Sequence, residues 1–105
     1  MKNGFNIDWS NEALDNLDSI LKYLQENWTE REINRFVRKL NNRIELLSKS
    51  PLVFPAIDSR INIRRSVLTE QTTIYYEIKN DVLIILSLFN TLKDPDSLYL
   101  VKNEE

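Results

Sequence analysis

The 105-residue chain contains no cysteine, no histidine and a single glycine, Gly4. Each absence removes a class of chemistry. Without cysteine there is no disulfide framework, and the chain reads as cytoplasmic. With neither thiolate nor imidazole, the usual ligands of zinc, haem and iron–sulfur clusters are missing, so no metal and no cofactor is expected. The same two absences exclude Ser-His-Asp and Cys-His nucleophiles. One glycine builds neither a phosphate-binding loop nor a dinucleotide fingerprint. Any catalysis is left to Asp, Glu, Lys, Arg, Tyr or Ser. There is no apolar run of about 18 residues or more, so no membrane contact is expected. The segment Met1–Phe5 has no apolar core of a signal peptide. An excess of one charge sign is also lacking. Sixteen acidic residues against fourteen basic ones leave a net charge of −2, so bulk electrostatics give no reason to expect nucleic acid.

What remains is an ordinary globular composition, 42% hydrophobic and 29% charged, of a length that fits one domain over residues 1–105 with 94–105 as a short C-terminal tail. Phe5-Asn6-Ile7-Asp8-Trp9 alternates apolar and polar, as a short strand with one buried face does. Ser10 follows as a helix N-cap. Ala13, Leu14, Leu17, Ile20, Leu21 and Leu24 then recur at helical spacing and predict a helix over about residues 10–27. Thr29-Glu30-Arg31-Glu32 reads as a capping box opening a second helix of about residues 30–48. Its apolar stripe is Ile33, Phe36, Val37, Leu40, Ile44 and Leu47. The outer face of the first helix is mostly acidic and that of the second is basic, with Arg31, Arg35, Arg38, Lys39 and Arg43. The short link makes the two an antiparallel hairpin, and opposite charges are expected to help it modestly.

Pro51 stops the second helix, and a loop with Pro55 leads into three β-type runs: 61–68, 72–78 and 82–89. Links of only a few residues require antiparallel pairing. The last run is almost wholly apolar, which suits a central strand or one covered on both faces. Asp94-Pro95 reads as an N-cap and first-turn proline opening a short terminal turn. The predicted order is β-α-α-β-β-β, an α+β fold with a helix hairpin packed on a small, mainly antiparallel sheet.

Few polar side chains in this plan are placed for function. Arg64 and Arg65 fall on opposite faces of the first meander strand, so one points to the helix layer or its rim and the other to the open face. Either suits a phosphate or a partner, although strand arginines are commonly edge charges. Of Tyr75 and Tyr76, one is expected in the core and the other more exposed. A tyrosine serves as a general acid or base, stacks on a nucleobase, or simply packs. Lys93, just past the last strand, is a further cation.

The ordered set of elements, with several local patterns, resembles the RelE/ParE superfamily of toxins from type II toxin–antitoxin modules. The patterns are Trp9-Ser10 with Ala13, the turn Asn27-Trp28-Thr29, the loop Ser50-Pro51-Leu52-Val53-Phe54-Pro55, an arginine early in the next strand (Arg64 or Arg65), Tyr76-Glu77-Ile78, and Phe89-Asn90-Thr91-Leu92-Lys93-Asp94-Pro95. The resemblance spans about residues 5–98. It implies a growth-inhibiting toxin neutralised by a small antitoxin, held through Tyr23, Trp28 and Phe36 or an unpaired sheet edge, with Arg64, Arg65, Asn90 and Lys93 as further contacts to antitoxin or target. In the ribosome-dependent messenger-RNA nucleases of the family, an arginine usually follows the last strand. Here that position is Leu92. The ParE-like branch, whose members bind DNA gyrase without a catalytic set, is the nearer match. The alternatives are a ribonuclease using Arg64, Arg65, Lys93 and Tyr76, or a degenerate toxin that retains only antitoxin binding.

Overall fold

The computed structural model describes residues 4–58, 60 and 62–91. Its elements are β1 (Asn6–Trp9), α1 (Asn11–Asn27), α2 (Glu30–Lys49), a single 3-10 turn (Pro51–Val53), β2 (Ile63–Val67), β3 (Thr72–Lys79) and β4 (Val82–Asn90). The four strands form one sheet in the order β1-β4-β3-β2, with the helices on one face. This is the expected α+β architecture. Leu92, Lys93 and the Asp94-Pro95 turn lie outside the described residues.

β4 organises the sheet. Its nine residues carry no charge, and it lies between β3, paired antiparallel, and β1, paired parallel. The meander is antiparallel as expected, and the parallel β1–β4 pair makes the sheet mixed. Between Tyr75 and Tyr76 the β3–β4 register shifts, so that Tyr75 faces Ser87 while Tyr76 faces Ile85 and Leu86 is the extra residue. Such a bulge breaks the two-residue alternation locally. That break is why Leu83, Ile85 and Leu88, rather than every second residue, are buried.

β1 stops opposite Ile85, which would leave the rest of β4's edge bare. The start of α1 covers it. The Ser10 hydroxyl donates to the Leu86 carbonyl at 2.8 Å, the Leu88 amide donates to Asn16 Oδ1 at 3.0 Å, and the Ser10 amide donates to the Ile85 carbonyl at 3.0 Å. Ser10 Oγ also accepts from the Ala13 amide as the N-cap of α1. One hydroxyl thus closes a helix end and a sheet edge together.

α1 packs across β4 and buries Ala13, Ile20 and Leu24. Burying Ile20 or Leu24 is worth about 1.5–3 kcal/mol each. α2 opens with the predicted capping box: Thr29 Oγ1 accepts from the Glu32 amide, and the Glu32 carboxylate accepts from the Thr29 amide. It buries Leu40 and Leu47, with Ile33, Phe36 and Ile44 packed against the core. At its far end the Ser48 carbonyl accepts from the Phe5 amide at 2.7 Å, and a Cβ on Gly4 would meet that same oxygen at 2.6 Å. The one glycine therefore stands where the chain passes closest to a helix end. No close ion pair links the two helices: among the described residues the ion pairs are Lys22–Asp18 and Lys49–Glu45, each within one helix, and Arg60–Asp58 in a loop. Leu24 of α1 and Leu40 of α2 share the apolar core, with Tyr23, Ile33 and Phe36 packed against it.

The double duty of Ser10 has a measurable consequence. Ser10→Ala is expected to cost more than Thr29→Ala, about 2 kcal/mol against about 1 kcal/mol, because it removes a cap and also leaves a sheet carbonyl without its donor. Urea denaturation checks this as a larger fall in midpoint at an unchanged slope.

Candidate functional site

The residues singled out from sequence divide between two places. The first is a groove of about 160 Å³ at the tip of the helix hairpin. Its apolar floor comes from Ile20 and Leu24 of α1, Phe36 of α2 and Trp28 between them. Glu32, Arg35 and Lys39 of α2 form one rim, and the β2–β3 turn with Thr72 and Asn90 forms the other. Trp28 is 41% exposed although it is the largest apolar side chain available to the hairpin. Its amide closes α1 onto the Leu24 carbonyl, which holds the backbone at this point in the turn between the helices. Across the groove, Asn90 Nδ2 donates to Thr72 Oγ1 at 2.6 Å, tying the ends of β3 and β4. Trp28, Phe36 and Asn90 are therefore brought together. Tyr23 is not among them: it is half-buried against the core, and its carbonyl accepts from Asn27 Nδ2.

The second place is the rim where β2, β3 and the loop after α2 meet. Tyr76 is wholly buried, and its hydroxyl donates to the Pro51 carbonyl at 2.6 Å. Tyr75, on the other face, is half-buried. Burial pushes the Tyr76 phenol above its ordinary pKa, and the nearby Arg64 charge partly opposes this. Arg64 Nη1 donates to the Phe54 carbonyl at 2.6 Å, and its Nε is buried without an acceptor. Arg65 is exposed on the opposite face of the sheet. The candidate nuclease groups Arg64, Arg65 and Tyr76 thus do not converge on one cleft.

Two further residues complete this rim. Arg43 of α2 donates through Nη1 to Ser66 Oγ at 2.6 Å and to the Val67 carbonyl at 2.8 Å, and its guanidinium lies 5.4 Å from the centre of the Phe54 ring. It satisfies the fully buried Ser66 and closes part of the free edge of β2. Position offered the signal in the sequence. Arg43 stands three residues after Leu40 and four before Leu47, so it lies on the buried stripe of α2 rather than on its solvated face. Phe54 carried no such signal, because only the tertiary fold brings two arginines to it.

Tyr76→Phe is expected to destabilise the protein by about 1–3 kcal/mol by leaving the Pro51 carbonyl without its donor. The pH dependence follows from the raised pKa. Since the folded value is the higher one, the Tyr76 contribution is intact below the unfolded value of about 10 and is lost as pH rises through the folded value. Chemical denaturation followed up through alkaline pH is expected to show this loss in the wild type and not in the phenylalanine variant.

Among the described residues no helix is long and apolar enough to cross a membrane, and no group of three or more acidic side chains is placed to hold a metal ion. Comparison with curated proteins finds no sequence match. Solved structures show the same fold. The chromosomal ParDE system from P. aeruginosa is similar with a TM-score of 0.69 at 13% identity, covering 85% of this chain and 98% of that one. A YoeB/ParE toxin from Agrobacterium tumefaciens gives 0.61 at 14%, covering 81% and 96%. The E. coli DinJ–YafQ toxin–antitoxin complex gives 0.57 at 14%, covering 85% and 94%. The sequence model for the ParE toxin of the type II toxin–antitoxin system parDE matches residues 7–95, so the chain belongs to the ParE toxin family.

Proposed function

We propose that this toxin arrests growth in the cytoplasm by binding a gyrase-type target rather than by cutting RNA, and that a small antitoxin neutralises it from the hairpin-tip groove. The observation that carries the first half is the commitment of the candidate catalytic groups. Phosphodiester cleavage needs an acid–base pair and a cation within hydrogen-bond reach of one phosphate. The Tyr76 hydroxyl is sealed in the core against a backbone carbonyl, Arg64 is turned to the Phe54 carbonyl, and Arg65 lies on the far face of the sheet, so the three do not meet at one phosphate. Binding needs none of these to converge.

The second half is supported by the groove itself. Its Trp28 and Phe36 floor is open to a helical or extended segment with apolar anchors, and Arg35 and Lys39 on the rim favour an acidic one. The neighbouring DinJ–YafQ structure is a toxin–antitoxin complex, which supports a protein partner of this kind.

Induced expression of the chain alone in bacteria, with messenger-RNA 5′ ends mapped soon after induction, tests the target. The expected result is growth arrest without new ends at fixed codon positions, and inhibition of gyrase supercoiling by the purified protein. New ends in phase with codons, with supercoiling untouched, would establish the ribonuclease alternative.

A further inference from the structure

Arg43 and Arg64 share an unusual situation. They come from different elements, α2 and β2, yet both converge on Phe54: one lies over its ring, and the other donates to its carbonyl. Both are half-buried. Neither takes part in any of the ion pairs among the described residues, and all their hydrogen-bond acceptors are neutral: Ser66 Oγ, the Val67 carbonyl and the Phe54 carbonyl. The Nε of Arg64 is buried with no acceptor at all.

Two cations brought together and partly desolvated, without a counter-charge, are costly. A guanidinium taken out of water ordinarily gains a carboxylate in exchange. Neutral carbonyls supply geometry but no charge. We infer that Arg43 and Arg64 form an anion site, and that its occupant is a carboxylate from an acidic, aliphatic segment of a protein partner. Guanidinium forks match carboxylates in shape, and such charge-assisted bonds are among the stronger ones.

The surroundings decide between a carboxylate and a polynucleotide phosphate. Beside the pair, Leu46 stands exposed one turn along α2 from Arg43, and the Phe54 ring lies against Arg43 itself. Arginine beside aromatic and apolar side chains is the composition enriched at protein interfaces. A nucleic-acid site needs a field of cations along the backbone, and this chain has a net charge of −2. The site is separate from the hairpin-tip groove, shares no lining residue with it, and does not depend on which cellular target the toxin hits.

The test follows the Nε–H signals of Arg43 and Arg64 by NMR in the full chain during titration. The probes are an acetylated, amidated pentapeptide of alternating leucine and aspartate, its asparagine counterpart, inorganic phosphate and a short oligothymidylate, all at equal ionic strength. The expected result is a saturable shift of both signals with the aspartate peptide. Binding of the asparagine peptide, and of the aspartate peptide to Arg43→Gln, is expected to be weaker by about tenfold or more. The wild-type titration stands alone should that variant fail to fold. Tighter binding of oligothymidylate would overturn the assignment in favour of nucleic acid, and a response to phosphate alone would reduce it to a small-anion site. No movement of either signal with any probe would overturn it outright.

Discussion

A phenol buried in an apolar core must find an acceptor, and the Tyr76 hydroxyl finds the Pro51 carbonyl at 2.6 Å. That bond dictates where the chain goes after α2. The 3-10 turn Pro51–Val53 is drawn over β3, and Phe54 follows it to the edge of β2. There its carbonyl receives Arg64 and its ring lies against Arg43. Leu52 and Val53 are left 68% and 59% exposed, and the backbone on either side of them is held by the bonds to the Pro51 and Phe54 carbonyls rather than by their own side chains. Tyr76, Arg64 and Arg43 together act as fasteners between the helix layer, the loop and the sheet edge.

A phenol fastened in this way is withdrawn from acid–base chemistry. The hydroxyl that a nuclease would use as acid or base is fully buried, and the arginine beside it is bonded to backbone. On the reading proposed above, the activity of the toxin comes from its surfaces. Two candidates among the described residues differ in character. The hairpin-tip groove is an apolar slot with a mixed-charge rim. The arginine pair is a point of unbalanced positive charge beside Phe54 and the exposed Leu46.

Much of the fold was legible from local signals. Ser10 and Thr29 as caps, the periodic stripes of α1 and α2, and the uncharged run of β4 each report short-range physics that tertiary structure did not override. The choice between Tyr75 and Tyr76 was not legible, because alternation alone places them on opposite faces without saying which face is covered. The bulge at Leu86 was equally hidden: it depends on the edge of β4 being handed from β1 to Ser10 and Asn16. At the site, Trp28, Phe36 and Asn90 were found one by one in the sequence, but the groove they share exists only once the hairpin tip meets the end of the sheet. Tyr23 carried the same aromatic signal and lies outside it. The pairing of Arg43 with Arg64 through Phe54 joins three elements distant in sequence, so no local pattern announced it.

The central claim is that Tyr76 is a structural anchor and takes no part in a chemical step. Its most direct test is Tyr76→Phe induced in growing bacteria beside the wild type, with the amounts of soluble folded protein matched. The account predicts growth arrest equal to that of the wild type, since the target-binding surfaces are unchanged. A folded Tyr76→Phe protein that no longer arrests growth would contradict it and return the tyrosine to a catalytic role.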